Sequence, residues 1–261
     1  MGDKQVLMYK DIVLHDSDVD TLRGPCFLND QIIVFYLSYL FSSNKIDDVL
    51  HVAPSISLCL ANCQNHKFVE EFAESCKLSS KRLVLFVVND IEDFDSNDGG
   101  NHWSILVYDR MSNSFLHYDS MTGVNSIAAM KLYDVVKGYM GPGGEVSTLQ
   151  TSSSLLKKQR KKKKNVKAVS KHLVNAKTES DAAITSTGLP VFVECKTPQQ
   201  SNGYDCGLYV LAIAKAIYNW YLLDNYRGDL ISAIEKRIDD SMVELNLRKE
   251  VLEIIEELAK D

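Results

Sequence analysis

Three short apolar runs near the middle of the chain limit the folds open to it. They are "RLVLFVVND" (82–90), "HWSILVYD" (102–109) and "SFLHYDS" (114–120). The first is continuously apolar and β-branched, which at that length favours a buried strand. The other two are strand-like and divided only by Arg110, Met111, Ser112 and Asn113, which predicts a hairpin. "LPVFVECK" (189–196) reads as a further strand. Helical patterns surround these runs. Residues 11–50 read as mostly helical, with a cap-like Asn29-Asp30 before "QIIVFYLSYLF". Residues 54–76 and 124–140 follow, then a strongly apolar helix over 206–223. One or two amphipathic helices span 229–260, where Leu247, Val251, Ile254, Ile255 and Leu258 form one apolar stripe.

The composition breaks once. Residues 145–187 are rich in Ser, Thr, Lys and Ala and include "KKQRKKKKNVK". So polar a stretch buries too little apolar surface to offset its ordering entropy. It is expected to be a disordered basic insertion inside a single domain spanning 1–261. The basic run reads either as an import or docking signal or as a solvated loop.

Charge and cysteine usage narrow the class. A net charge of −6 makes nucleic acid a poor default partner. No apolar run reaches the roughly 18 residues needed to cross a bilayer, so no membrane role is expected. The start, "MGDKQVLMYKD", lacks the apolar stretch of a signal peptide. The six cysteines are irregularly scattered, which reads as reduced thiols in the cytoplasm or nucleus. Cys59, Cys63, His66 and Cys76 lie close in sequence, but their spacing is irregular and an amphipathic helix explains them. No metal or cofactor is expected.

Four residues suit thiol chemistry. Cys206 opens the apolar helix, where the helix N-terminus carries partial positive charge that favours a thiolate. Gly207 lets another part of the chain approach closely. Taken alone, Cys-Gly at a helix start favours a buried structural cysteine. His102 begins a strand after the loop 93–100. A turn centred near Arg110-Met111 would pair residues whose numbers sum to about 221 and set His102 opposite Asp119. That pair suits a base and its orienting carboxylate, or an ordinary cross-strand pair. Gln200 precedes the cysteine on a loop, where an amide could donate to a developing oxyanion. Trp103 reads as core or as the roof of a narrow channel.

The segments "FLND" (27–30), "GGNHWSILVYD" (99–109), "FLHYDS" (115–120) and "QQSNGYDCGLYV" (199–210) together resemble the sentrin/SUMO-specific, Ulp-type cysteine proteases. The resemblance runs from about residue 10 to 260, apart from the insertion. It implies an α+β fold with a papain-like core of circularly rearranged order, its central sheet mostly antiparallel and flanked by helices. It implies Cys206 as nucleophile, His102 as base, Asp119 as orienter and Gln200 as oxyanion donor. Trp103 would be the lid over a Gly-Gly tail, and Asp30 a contact for a basic residue near the modifier's C-terminus. Phe27 stands where the family usually has Trp, which alters the second wall of the channel. Within the family "HWSILVYD" and "SFLHYDS" look most like the deneddylating branch, which acts on the NEDD-type modifier that decorates cullins. "DSM" at 119–121 is shared with SUMO proteases.

Overall fold

The computed structural model describes residues 2–42, 46–91, 100–140, 188–223 and 229–260. Met1–Gly144 and Leu189–Asp261 group into one unit, and 145–188 into another. The expected disordered insertion, 145–187, and the expected loop over 93–100, all but its last residue, lie outside the described residues.

The chain begins with a feature that the helical reading of 11–50 does not anticipate. β1 (Gln5–Tyr9) and β2 (Ile12–His15) pair antiparallel around a two-residue turn at Lys10 and Asp11. Lys10 has a φ of 55° there, the left-handed conformation that such tight hairpins demand. Lysine gives no sign of that in sequence. Two helices follow, α1 (Asp16–Arg23) and α2 (Asp30–Ser42). The cap-like Asn29 behaves as read: its side-chain oxygen accepts from the Ile32 N–H at 3.1 Å.

β3 (Val49–Val52), α3 (Pro54–Asn62), α4 (His66–Ser75) and β4 (Leu83–Asn89) come next, then the hairpin of β5 (Trp103–Asp109) and β6 (Ser114–Tyr118). α5 (Ser126–Val136), β7 (Val191–Glu194), α6 (Cys206–Leu223), α7 (Leu230–Arg237) and α8 (Asp240–Leu258) complete the described elements. The central sheet has the order β3-β4-β5-β6-β7. Its inner pairs, β4–β5 and β5–β6, are antiparallel, while the outer pairs, β3–β4 and β6–β7, are parallel. The sheet is therefore mixed, with the longer antiparallel ladders at its centre and short parallel ones at its edges. Parallel neighbours require a long crossover, which α3 and α4 supply on one side; α5 lies in the connection on the other.

Every residue of β4 and β5 is buried, because the sheet is covered on both faces. On one face Leu83, Leu85, Ile105 and Val107 pack with α2, α6 and α8. On the other Val84, Phe86, Leu106 and Phe115 pack with α3, α4 and α5. α6 is buried nearly all round, which is why it lacks an amphipathic pattern. α8 buries Leu247, Val251 and Ile255, the centre of its stripe. Among the described residues no helix is long and apolar enough to cross a membrane.

Candidate active site

The hairpin brings His102 and Asp119 together, though not in the register that the sequence suggests. Observed partners sum to 223, as in Leu106 with His117. The turn is centred on Met111-Ser112 and closes through Asn113 at a φ of 47°. Asp119 therefore lies diagonal to His102 rather than opposite it. The even shift keeps both side chains on one face, and His102 Nε2 still meets Asp119 Oδ1 at 2.6 Å.

Each member of the pair is fixed from behind. Asp90 Oδ1 accepts from the N–H groups of Asn101 and His102, at 2.7 and 3.0 Å. Asn125, just before α5, donates its backbone N–H to Asp119 Oδ2 at 3.0 Å and its side-chain N–H to the His102 carbonyl at 3.2 Å. Met121 donates to Asp119 Oδ1. Thr197 and Gln199 hold the Asp119 backbone.

These contacts set the charges. Burial alone would raise the Asp119 carboxyl, but hydrogen bonds from His102, Asn125 and Met121 hold it below the usual range. Burial alone would lower His102, but Asp119 and the neighbouring Cys206 raise it to about 9. The other ring nitrogen, Nδ1, is buried without a closed hydrogen bond. Cys206 is thus near enough to act on His102 without meeting full hydrogen-bond geometry, as is common in free enzymes, whose catalytic hydrogen bonds tighten on substrate binding.

Cys206 is the first residue of α6 and is fully buried. The turn before it is stapled: Asn202 Oδ1 accepts from the N–H groups of Tyr204 and Asp205, both at 3.0 Å. Asp205 is buried and ion-paired with Arg248 of α8. Arg248 also donates to the carbonyls of Thr21 and Cys26, at 2.6 and 2.8 Å. Removing the guanidinium would leave Asp205 as an uncompensated buried charge, a loss of about 3–5 kcal/mol. Arg248→Met is therefore expected to lower chemical-denaturation stability by that amount and to depress cleavage; an unchanged denaturation midpoint would contradict the anchoring role.

Leu28 is the other piece that sequence reasoning missed. Its carbonyl accepts from Trp103 Nε1 at 2.8 Å. A Cβ built on Gly207 would lie 2.9 Å from Leu28 Cβ, so only glycine lets the start of α6 come this close. Gly207→Ala must push α6 or Leu28 aside, an overpacking cost of about 1–3 kcal/mol. Its expected result is a lowered Tm and a kcat reduced more than the KM is changed, since the displaced residue neighbours Cys206.

Gln200 sits on the loop before α6. Its Oε1 accepts from Ser120 at 2.7 Å and its amide donates to the Asn202 carbonyl at 2.6 Å. Trp103 is buried against Leu28, whereas Phe27 on the same segment is 41 % exposed. Asp30 opens α2. Cys206, His102 and Asp119 thus come together, and Leu28, which Phe27 precedes and Asp30 follows by two, meets both Trp103 and the start of α6. Cys59, Cys63 and Cys76 are free thiols, and among the described residues no three His, Cys, Asp or Glu side chains gather as metal ligands do.

The chain is similar in sequence and in fold to known proteins. The profile of the Ulp1 protease family, C-terminal catalytic domain, matches residues 147–245, a range that holds Gln200 and Cys206. "NEDD8-specific protease 1" of Arabidopsis thaliana is 33% identical over 99% of this chain and 96% of its own. "Sentrin-specific protease 8" of Rattus norvegicus is 32% identical over 82% of this chain and 80% of its own. In fold the chain is similar to the Ulp1 protease domain solved with Smt3, the yeast ortholog of SUMO. That likeness has a TM-score of 0.59 at 16% identity and covers 100% of this chain and 90% of the other. A de-sumoylating protease gives a TM-score of 0.62 at 16% identity, covering 98% and 91%. With a relative above 30% identity covered almost end to end, the chain belongs to the Ulp1 family of cysteine proteases.

Proposed function

We infer that this enzyme is a thiol isopeptidase and precursor processor that cleaves after the C-terminal Gly-Gly of a NEDD8-type modifier. Conjugates such as cullins and the modifier's own precursor are its proposed substrates. The observation that carries the chemistry is the buried set of Cys206 at the start of α6, His102 beside it, and Asp119 2.6 Å from His102. The choice of modifier is supported by the relatives, which carry the names NEDD8-specific protease and sentrin-specific protease 8.

The proposed mechanism uses only this chain's side chains. The modifier's extended tail lies beside Trp103 and the 27–30 segment, in a channel that admits glycine and little more. His102, held as imidazolium by Asp119, pairs with the Cys206 thiolate. The thiolate sulfur attacks the terminal glycine carbonyl carbon. Gln200 carries two amide donors, one of them engaged by Asn202, and the other serves the oxyanion. The carbon–nitrogen bond then breaks, and the proton on His102 passes to the leaving amine. His102, now neutral, takes a proton from water, whose oxygen displaces Cys206 from the thioester and frees the modifier's carboxylate.

Vinyl-sulfone derivatives of NEDD8, SUMO and ubiquitin test the reading on one target residue. The NEDD8 probe is expected to modify Cys206 alone, as seen by peptide mass mapping. Labelling by the SUMO probe to the exclusion of the NEDD8 probe would sink the proposed modifier while leaving the thiol chemistry intact.

A further inference from the structure

A second histidine and carboxylate lie on the face of the sheet that carries His102 and Asp119. Side chains two apart along a strand share a face, so Ser104 of β5 stands with His102, and His117 of β6 with Asp119. In the next ladder His117 is the partner of Glu194 on β7. His117 Nδ1 meets Glu194 Oε2 at 2.7 Å, and His117 Nε2 meets Ser104 Oγ at 2.9 Å. Ser104 Oγ in turn meets Asn125 Nδ2 at 3.0 Å. Ser104, His117 and Asn125 are buried, whereas the Glu194 side chain is 46% exposed, so the chain of contacts starts behind His102 and ends at the surface. The proposed cleavage assigns no step to Ser104, His117 or Glu194.

The protons along this chain can be placed one by one. The Asn125 amide also faces the carbonyls of His102 and Val88, at 3.2 and 3.4 Å. A carbonyl only accepts, so the amide nitrogen, not its oxygen, must lie on that side. An amide nitrogen only donates, so Ser104 Oγ accepts from it. The Ser104 proton then goes to His117 Nε2, the other partner of that hydroxyl among the described residues. A ring nitrogen that accepts carries no proton, so the proton of the neutral imidazole sits on Nδ1 and is donated to Glu194. Every bond thus runs one way, from Asn125 through Ser104 and His117 to Glu194. Burial alone would raise the Glu194 carboxyl, but hydrogen bonds from His117 and Ser126 hold it below the usual range. The chain therefore ends on a carboxylate, the stronger kind of acceptor.

We propose that His117 and Ser104 are positioning residues for the pair of His102 and Asp119. His117 takes the Ser104 proton and so turns a lone pair of that hydroxyl towards Asn125. Asn125 meets both members of the pair, through its side chain at the His102 carbonyl and through its backbone N–H at Asp119 Oδ2, 3.0 Å away. Its contact with Ser104 is the shortest that its side chain makes. Hydrogen bonds in such a chain strengthen one another, so the Glu194 charge tightens the hold on Asn125. Without an acceptor at position 117 the hydroxyl turns away, and the distance between imidazole and carboxylate is no longer fixed from behind. The effect on rate rests on the protease reading; the placement of the protons does not.

The test reads protons and rate separately. Long-range nitrogen–proton correlation spectra of the imidazoles in the full chain are expected to show His117 protonated on Nδ1 and unprotonated on Nε2. Rate is measured on the modifier C-terminal reporter that the wild type hydrolyses fastest. His117→Leu offers Ser104 no acceptor and is expected to lower kcat about tenfold, the effect of losing one buried hydrogen-bond partner, with KM within about twofold of wild type. His117→Gln places an amide oxygen near the position of Nε2 and is expected to keep kcat within about threefold of wild type. Should His117→Leu fail to fold, Ser104→Ala breaks the chain at its next member and is expected to show the same split. A proton on Nε2 of His117 overturns the proposal. So does an equal loss in His117→Leu and His117→Gln, an unchanged kcat in His117→Leu or Ser104→Ala, or a loss that falls on KM. Each of these results leaves the protease reading untouched, since that reading fails only if hydrolysis is absent or survives Cys206→Ala.

Discussion

Cys206→Ala is expected to reduce hydrolysis of a modifier reporter by about 10⁴-fold or more, with modifier affinity kept within about threefold of wild type. The loss is large because the proposed mechanism makes the Cys206 thiolate the attacking group. Cys195, at the end of β7, is pushed up to about 11 chiefly by burial, so it stays protonated at neutral pH. Affinity survives because Trp103, Phe27 and Asp30, which form the proposed channel, do not depend on the sulfur. Steady-state hydrolysis and calorimetric titration of the modifier measure the two halves. Residual turnover above about one hundredth of wild type would mean that another group carries the reaction.

Asp119→Asn is expected to lower kcat by about 10²–10⁴-fold, the range that positioned acid–base help supplies. The carboxylate accepts from His102, and asparagine cannot take over its charge. The pH profile separates this from a mere loss of packing. Against burial, Asp119 and Cys206 raise His102 from its ordinary 6.5 to about 9. Imidazolium is the form paired with thiolate, so wild-type activity is kept as pH rises and lost through about pH 9. Removing the Asp119 charge lowers the His102 pKa and moves that alkaline limb to lower pH. Stability follows the same sign. A raised folded-state pKa contributes stability that is complete below 6.5 and lost as pH rises through about 9. The variant should therefore show a shallower fall in Tm across that window. An alkaline limb that stays in place would contradict the role given to Asp119. His102→Ala is expected to approach the loss seen for Cys206→Ala.

The candidate site was legible because its members sit on elements with strong local signals. The runs 82–90 and 102–120 could hardly be anything but buried strands, and "CGLYVLAIAKAIYNWYLL" is a helix whose start is fixed by its own apolar run. The register was missed by two because Asn113, rather than a residue nearer the middle of the turn, takes the left-handed conformation. Asparagine tolerates that conformation better than most residues, so a signal was there to be weighed. Lys10 gives none, and β2 falls inside the stretch 11–50 that reads as mostly helical. Leu28 reads as core in any sequence, and its role appears only when its carbonyl meets Trp103 and its side chain meets Gly207. Arg248 lies 43 positions beyond Asp205 on an ordinary amphipathic helix, and no local pattern ties the two. Asn125 falls inside the stretch 124–140 that reads as helix, with no sign that it holds both His102 and Asp119. What escaped the sequence is consistently the support behind the site, which is assembled by distant parts of the chain.

Cys206, His102 and Asp119 are proposed to cleave after the Gly-Gly of a NEDD8-type modifier. The most direct measurement is parallel hydrolysis of NEDD8, SUMO and ubiquitin C-terminal reporters by the purified chain, expressed as kcat/KM. The expected result is a preference for the NEDD8 reporter of about tenfold or more over both others, abolished by Cys206→Ala. Equal or faster hydrolysis of the SUMO reporter, or hydrolysis of any reporter that survives Cys206→Ala, would contradict it.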